Sequence, residues 1–302
     1  MDNIISIPLV DTNGNIRYFT EPNKARRHIF WVRIIMVSSS KNRLRDLSVN
    51  IFVPPSDPHQ KLVVSKVNIP AEITTDKHGN NIFSAEVDVV PPRKREEIVL
   101  RGEIYLRPYC VMGDWGCMQP KSIEHTTRGR LQDHTRTEIL QLLDELELDR
   151  TDDIREIAFR IIAHIRKRVK YFKSPYRLGA MFALKQSKGS CDEIADLTVA
   201  LLRARGIEAR SIIGYYLYEA LHEWVEIKTQ VGWVPIDPTA GLIGGLGSRW
   251  LKLFVEPKPS TKPIRISGTG QGKIAVEIGL DNKTFIRKTL ITPPKKFERW
   301  KL

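Results

Sequence analysis

Cys191, His222 and Asp237 are the residues of this 302-residue chain whose types and order carry the most chemical information. A thiol followed by an imidazole and a carboxylate supplies a nucleophile, a base to take its proton and an acceptor to orient that base. Cys191 stands in Gly189-Ser-Cys-Asp-Glu193, His222 in Leu221-His-Glu-Trp-Val-Glu-Ile227, and Asp237 in Trp233-Val-Pro-Ile-Asp237. Each residue alone has an ordinary reading. Free cysteine is often a small buried hydrophobe, a strand histidine a satisfied structural group, and Asp-Pro a turn. It is the three in order that point to covalent chemistry at a carbonyl.

The elements that must position them are readable locally. Ser190 and Glu193 form the S-x-x-E capping pattern, which predicts a helix with Ser190 as N-cap and Cys191 as its first residue. Ile194, Leu197, Thr198, Leu201 and Leu202 repeat at the spacing of one buried helical face, and Gly206 ends it. A thiol there meets unpaired N–H groups and the helix dipole, which lower thiol pKa values from about 8.5 into a range of roughly 3.5–7.5. Asp192 and Glu193 oppose a neighbouring thiolate, so His222 must supply most of the activation. Leu221, Val225 and Ile227 alternate with His222, Trp224 and Glu226, as on a strand. A short turn over Thr229-Gln-Val-Gly232 then returns the chain, and a hairpin brings Asp237 beside His222.

The runs Gly189-Ser-Cys-Asp-Glu-Ile-Ala-Asp-Leu197, Ala200-Leu-Leu-Arg-Ala-Arg-Gly-Ile-Glu-Ala-Arg210, Gly214-Tyr215, His222-Glu-Trp-Val-Glu226 and Trp233-Val-Pro-Ile-Asp-Pro-Thr239 together resemble the transglutaminase-like superfamily. The segment from Ile157 to Tyr171 resembles the helix that precedes that family's cysteine. The resemblance covers about residues 135–256. It implies a papain-like α+β fold and a Cys-His-Asp triad on Cys191, His222 and Asp237. The family includes cross-linking enzymes, peptidases, amidases, de-glycosylating enzymes and inactive binding modules. The expected function is a peptidase or amidase acting on a peptide or protein substrate without a cofactor. The alternatives are a protein cross-linking transglutaminase and a non-catalytic binding module. Oxyanion stabilisation calls for two donors about 3 Å from the developing charge. The Cys191 backbone N–H is the first candidate, and Gln186 the second, as a glutamine serves in papain-like enzymes, with a solvated loop glutamine as the plainer reading. Trp224 and Trp233 are candidate cleft walls, although aromatic residues on strand faces more often belong to the core.

Outside this core, residues 1–110 carry β-branched and aromatic runs such as His28-Ile-Phe-Trp-Val-Arg-Ile-Ile-Met-Val37 and Leu47-Ser-Val-Asn-Ile-Phe-Val53. They predict an antiparallel β-sandwich domain ahead of the core, of the kind that often precedes transglutaminase-like cores. Asp11-Thr-Asn-Gly-Asn15 and Asp76-Lys-His-Gly-Asn80 read as turns; the first lacks the twelfth-position glutamate of a calcium loop. Residues 111–134 read as a connector, and helices are expected at about 136–148 and 152–170. The segment 257–302 is expected to form a C-terminal β extension that returns to the β-layer or adds a hairpin.

Composition bounds the remaining classes. The chain carries a net charge of +13, but Lys24-Ala-Arg-Arg27, Arg93-Lys-Arg95 and Arg166-Lys-Arg-Val-Lys170 are scattered and no nucleic-acid motif accompanies them. Nucleic acid is therefore not an expected partner, and the last cluster suits a helix C-terminus. Three cysteines make no secreted disulfide framework, and Cys110-x6-Cys117 with His125 is poor zinc spacing, so no metal is expected. The N-terminus lacks a basic start followed by an apolar signal core, and the apolar run Ile29 to Val37 is far shorter than the ~20 residues a membrane helix requires. A cytoplasmic location follows as an expectation, and the oligomeric state is left open.

Overall fold

Alternating β-branched segments become strands, and among the described residues three antiparallel sheets gather most of them. The structure is a computed structural model that describes residues 4–111, 113–117, 131–256, 261, 263–290 and 298–299. His125 lies outside these residues. The largest sheet has seven strands in the order β17 (Trp250–Glu256), β12 (Ala209–Tyr216), β13 (Ala220–Thr229), β14 (Gly232–Asp237), β15 (Leu242–Ile243), β1 (Ile4–Val10) and β2 (Ile16–Pro22). One five-stranded sheet runs β21 (Glu298–Arg299), β18 (Ile264–Gly270), β4 (Leu44–Val53), β7 (Asn81–Val90) and β6 (Ala71–Thr75). The other runs β20 (Lys283–Leu290), β19 (Gly272–Leu280), β3 (Arg26–Ser38), β8 (Arg95–Leu106) and β5 (Gln60–Val67). Short pairs join β9 (Tyr109–Cys110) to β16 (Gly245–Leu246), and β10 (Lys170–Tyr171) to β11 (Lys188–Gly189).

The pairing crosses the segment boundaries read from the sequence. The first hairpin joins the seven-stranded sheet through Leu9 opposite Leu242, whereas β18 and β19 of the C-terminal segment pair with β4 and β3. Local patterns report that a segment is a strand; they do not report which sheet receives it. Phe30, Val32, Ile34, Val49, Ile51 and Val276 belong to one buried cluster shared by the five-stranded sheets, and Leu251 and Phe254 of β17 pack on it. The turns at Asp11 and Asp76 form as expected. Each carboxylate accepts two backbone N–H groups across its turn, and Gly14 and Gly79 take the left-handed conformation.

Among the described residues α2 (Ile154–Arg168) and α4 (Cys191–Ala204) pack on the seven-stranded sheet, and α1 (Thr137–Glu145) and α3 (Ala180–Gln186) pack against α4. Ile157, Ile161 and Ile165 of α2 and Leu197 and Leu201 of α4 share a second core with Val225, Ile227, Val234 and Ile236 of the sheet. Asp153 caps α2 by accepting from the N–H groups of Arg155 and Glu156, and Arg166, Lys167 and Arg168 occupy its last turn. The short α3 was not legible in the sequence, since seven residues give no periodicity. No described helix is long and apolar enough to cross a membrane. Cys117 and Cys191 are outside any disulfide, the first exposed and the second buried.

Candidate active site

The nucleophile candidate occupies the position its local sequence dictates. Ser190 is the N-cap of α4 and Cys191 its first residue, with the capping box formed. The Glu193 carboxylate accepts from the Ser190 N–H at 2.8 Å and hydroxyl at 2.7 Å, and its second oxygen accepts from the Leu178 N–H at 2.7 Å. Glu193 is completely buried, so it fixes the entry of the chain into α4 rather than serving solvent. Gly189 allows this approach, because a Cβ there would lie 2.7 Å from the Glu193 Cβ.

The base and its orienter come from the β13–β14 hairpin, whose turn is the two residues Gln230 and Val231. Val225 pairs with Ile236, so one step further Asp237 comes level with Trp224 and shares a face with His222. His222 Nε2 lies 2.7 Å from Asp237 Oδ2. Asp237 is fully buried and receives four hydrogen bonds: His222 and the Trp250 indole N–H (2.8 Å) on Oδ2, and the Thr239 (3.0 Å) and Ala240 (2.9 Å) N–H groups on Oδ1. Burial alone would raise its pKa, but the charge and hydrogen bond of His222, with the Ala240 and Trp250 donors, hold the carboxyl below its usual range. For His222, burial opposes protonation, yet the Asp237 charge and hydrogen bond and the Asp192 charge outweigh it and raise the pKa.

Trp250 escaped the sequence reading because it reaches Asp237 from β17, a strand that does not adjoin β14. Its own carbonyl is held by His59, whose Nε2 is 2.5 Å away and whose burial lowers the pKa of the ring. Trp250→Phe keeps the ring but removes the donor from a buried carboxylate. The expected loss is on the order of 2 kcal/mol, read as a fall in stability by denaturant titration; an unchanged midpoint would show that Asp237 is held without the indole.

The thiol differs from expectation. Burial comes first, followed by the Asp192 and Glu223 carboxylates, and together they push the Cys191 thiol up, against the pull of the Glu223 backbone N–H. The helix dipole is present, but desolvation outweighs it. Cys191 Sγ lies 3.3 Å from Asp192 Oδ1. The Glu223 N–H, on the residue after His222, is a donor to sulfur that the sequence did not reveal.

Behind Cys191 lies a buried ionic cluster. Arg177 donates to Asp196 (2.6 and 2.9 Å), Glu223 (2.8 Å) and Glu256 (2.7 Å). Gln132 donates to Asp196 and accepts from Arg203. Burial and the neighbouring Asp196 and Glu256 outweigh Arg177, so Glu223 holds its proton well above the usual carboxylate range.

The remaining candidates fall elsewhere. Gln186 is exposed at the C-terminal end of α3. Trp224 is fully buried, its ring centroid 6.1 Å from that of His222, and Gly214 must lack a side chain because a Cβ would meet the indole at 2.1 Å. Trp224 is thus the floor beneath the imidazole and not a cleft wall. Trp233 pairs with Lys228, six residues past His222, or about 20 Å along a strand. It stacks under Arg210 with 3.8 Å from guanidinium to ring centroid, so strand length separates it from the site. A cavity of about 250 Å³ between the first hairpin and α2, lined by Leu9, Tyr18, Arg155 and Phe159, contains none of these residues.

Comparison with known proteins agrees with this geometry at the level of the fold. A candidate cysteine protease of Cytophaga hutchinsonii has a crystal structure similar to this chain, at 14% identity and a TM-score of 0.53, covering 91% of this chain and 100% of that one. The periplasmic domain of TgpA from Pseudomonas aeruginosa, bound to ethylmercury, aligns at 16% identity and a TM-score of 0.36, covering 79% of this chain and 84% of that one. No curated protein matches the sequence. The family model that matches is that of the transglutaminase-like superfamily, over residues 141–238, a span that holds α2, α4 and the β13–β14 hairpin. Over residues 141–238 this chain is similar to the transglutaminase-like superfamily.

Proposed function

We propose that the protein is a thiol acyl-transfer enzyme, a peptidase or amidase, that works through Cys191, His222 and Asp237. The observation that carries this reading is the arrangement of Asp237, a fully buried carboxylate whose four donors include His222. A carboxylate so held has one role left open to it, which is to fix the tautomer and orientation of the imidazole. Because Asp237 takes Nε2, Nδ1 is the nitrogen left for the thiol.

In this reading His222 takes the Cys191 proton as sulfur attacks an amide carbonyl, and the Cys191 N–H donates to the oxyanion. The C–N bond then breaks as His222 protonates the leaving amine, and water releases the acyl group from the thioester. Burial raises the thiol pKa, so in this reading the thiol needs His222 to take its proton as it attacks. Hydrolysis and cross-linking differ only in whether water or a lysine amine reaches the thioester.

Alkylation by iodoacetamide tests the pair. The Cys191 rate is expected to rise with pH as His222 loses its proton, with an apparent midpoint above 6.5, the ordinary histidine value, because Asp237 raises that of His222. Asp237→Asn should move the midpoint down, and His222→Ala should slow Cys191 while leaving exposed Cys117 unchanged. A Cys191 rate indifferent to both substitutions would refute the triad and favour the binding-module reading.

A further inference from the structure

The segment linking β10 to α3 is tied to the nucleophile's helix and yet turns large apolar side chains outward. Tyr171 pairs with Gly189, and the Phe172 N–H donates to the Gly189 carbonyl at 2.8 Å, two residues before Cys191. Leu178 is fastened through its N–H to Glu193, and Arg177 through its guanidinium to Asp196, Glu223 and Glu256. Between these anchors Tyr171, Phe172, Tyr176 and Leu178 are 62, 43, 76 and 41% exposed. Scattered exposed apolar residues are normal on any protein, but three rings and a leucine within eight residues form a patch of the kind that marks a contact surface. The Lys188 ammonium lies 4.8 Å over the Phe172 ring, so that ring already has a partner on one face. Burial and then the charges at the start of α4, those of Asp192 and Glu193 among them, raise the pKa of the Tyr171 hydroxyl.

We infer that this rim is an apolar subsite of the proposed acyl-transfer site, receiving an aromatic or large aliphatic side chain of a polypeptide substrate next to the attacked carbonyl. The inference rests on the Cys191 reading. A peptide advances about 3.3–3.6 Å per residue, so a rim two residues of chain from Cys191 meets side chains one or two positions from the scissile bond. The occupant is a substrate because the rim's backbone is bonded to Gly189, two residues before Cys191, so whatever seats there lies near the nucleophile. The anchors fix the backbone at Phe172 and Leu178 and the Arg177 side chain between them, so the segment that carries the patch is held before anything binds, which limits the ordering cost of recognition.

Two chloromethyl ketones test it: acetyl-phenylalanyl and acetyl-glycyl chloromethyl ketone. Each alkylates sulfur by forming an S–C bond as chloride leaves. Each rate at Cys191 is divided by the iodoacetamide rate of the same variant, so that intrinsic thiol reactivity cancels. In the native protein the phenylalanyl reagent is expected to react roughly tenfold faster or more. In Phe172→Ala/Tyr176→Ala the ratio should fall to about one, whereas Tyr176→Phe should keep it. Should the double variant misfold, Tyr176→Ala alone carries the test, since that side chain is largely in solvent. A phenylalanyl-to-glycyl ratio near one in the native protein, or one that survives truncation, would overturn the subsite while leaving the nucleophile in place. Failure of Cys191 to react with iodoacetamide in the native protein would instead overturn the acyl-transfer reading, and the subsite with it.

Discussion

Cys191→Ala is expected to abolish acyl transfer while leaving the fold intact. In the proposed mechanism the thiol is the atom that attacks, and in a triad that works as a unit the loss of the nucleophile costs about 10⁴-fold or more in kcat. Asp237→Asn should cost less, because it disturbs the orientation and charge of His222 without removing the attacking atom. An acyl donor that needs no specificity, 4-nitrophenyl acetate, reads this out. The native protein should release a burst of about one equivalent of 4-nitrophenolate as the thioester forms, and Cys191→Ala should release none. Cys191 is small and lies at a capped helix start whose hydrogen bonds come from Ser190 and Glu193, so its truncation should leave thermal stability near the native value. A full burst from Cys191→Ala would assign the chemistry to another group. Adding a lysine analogue as acceptor separates the two acyl-transfer outcomes, since a cross-linking site transfers the acyl group to the amine.

The legible parts of this site are those set by residues close in sequence. The capping pair Ser190 and Glu193, the period of Ile194, Leu197 and Leu201, and the two-residue turn between β13 and β14 are all local, and each forms as its pattern predicts. What the sequence did not disclose is non-local. Trp250 reaches Asp237 from the far edge of the sheet, and Arg177 joins three carboxylates from Asp196, Glu223 and Glu256. Burial is non-local too, and this is why the thiol was misread: the capping pattern reports the dipole at Cys191, whereas desolvation depends on everything packed around it. The same holds for the two tryptophans. Trp224 and Trp233 lie on one hairpin, but only the register shows that one underlies His222 and the other sits six residues away from it.

Arg177→Ala is expected to give the largest loss of stability of any single substitution at the site, and the loss should depend on pH. The guanidinium bonds Asp196, Glu223 and Glu256 at once, all nearly or fully buried. Removing it strands buried carboxylates, at a cost of about 3–5 kcal/mol, out of the roughly 5–15 kcal/mol that holds a typical domain folded. Burial already raises Asp196 and Glu223 above their ordinary values, and without Arg177 they should rise further. A carboxyl whose folded pKa exceeds its unfolded one binds more protons in the native state. Stability is then highest below the unfolded value of about 4.3 and falls as pH rises toward the folded value. Arg177→Ala should therefore be more stable at pH 5 than at pH 8, and adding Glu223→Gln, which keeps a hydrogen-bonding group but no charge, should recover part of the loss at pH 8. Glu223 also follows His222 in β13 and offers its N–H to Cys191, so activity should fall along with stability in Arg177→Ala. Denaturant titration across that pH range decides the matter: a loss independent of pH would mean that Arg177 contributes packing rather than charge.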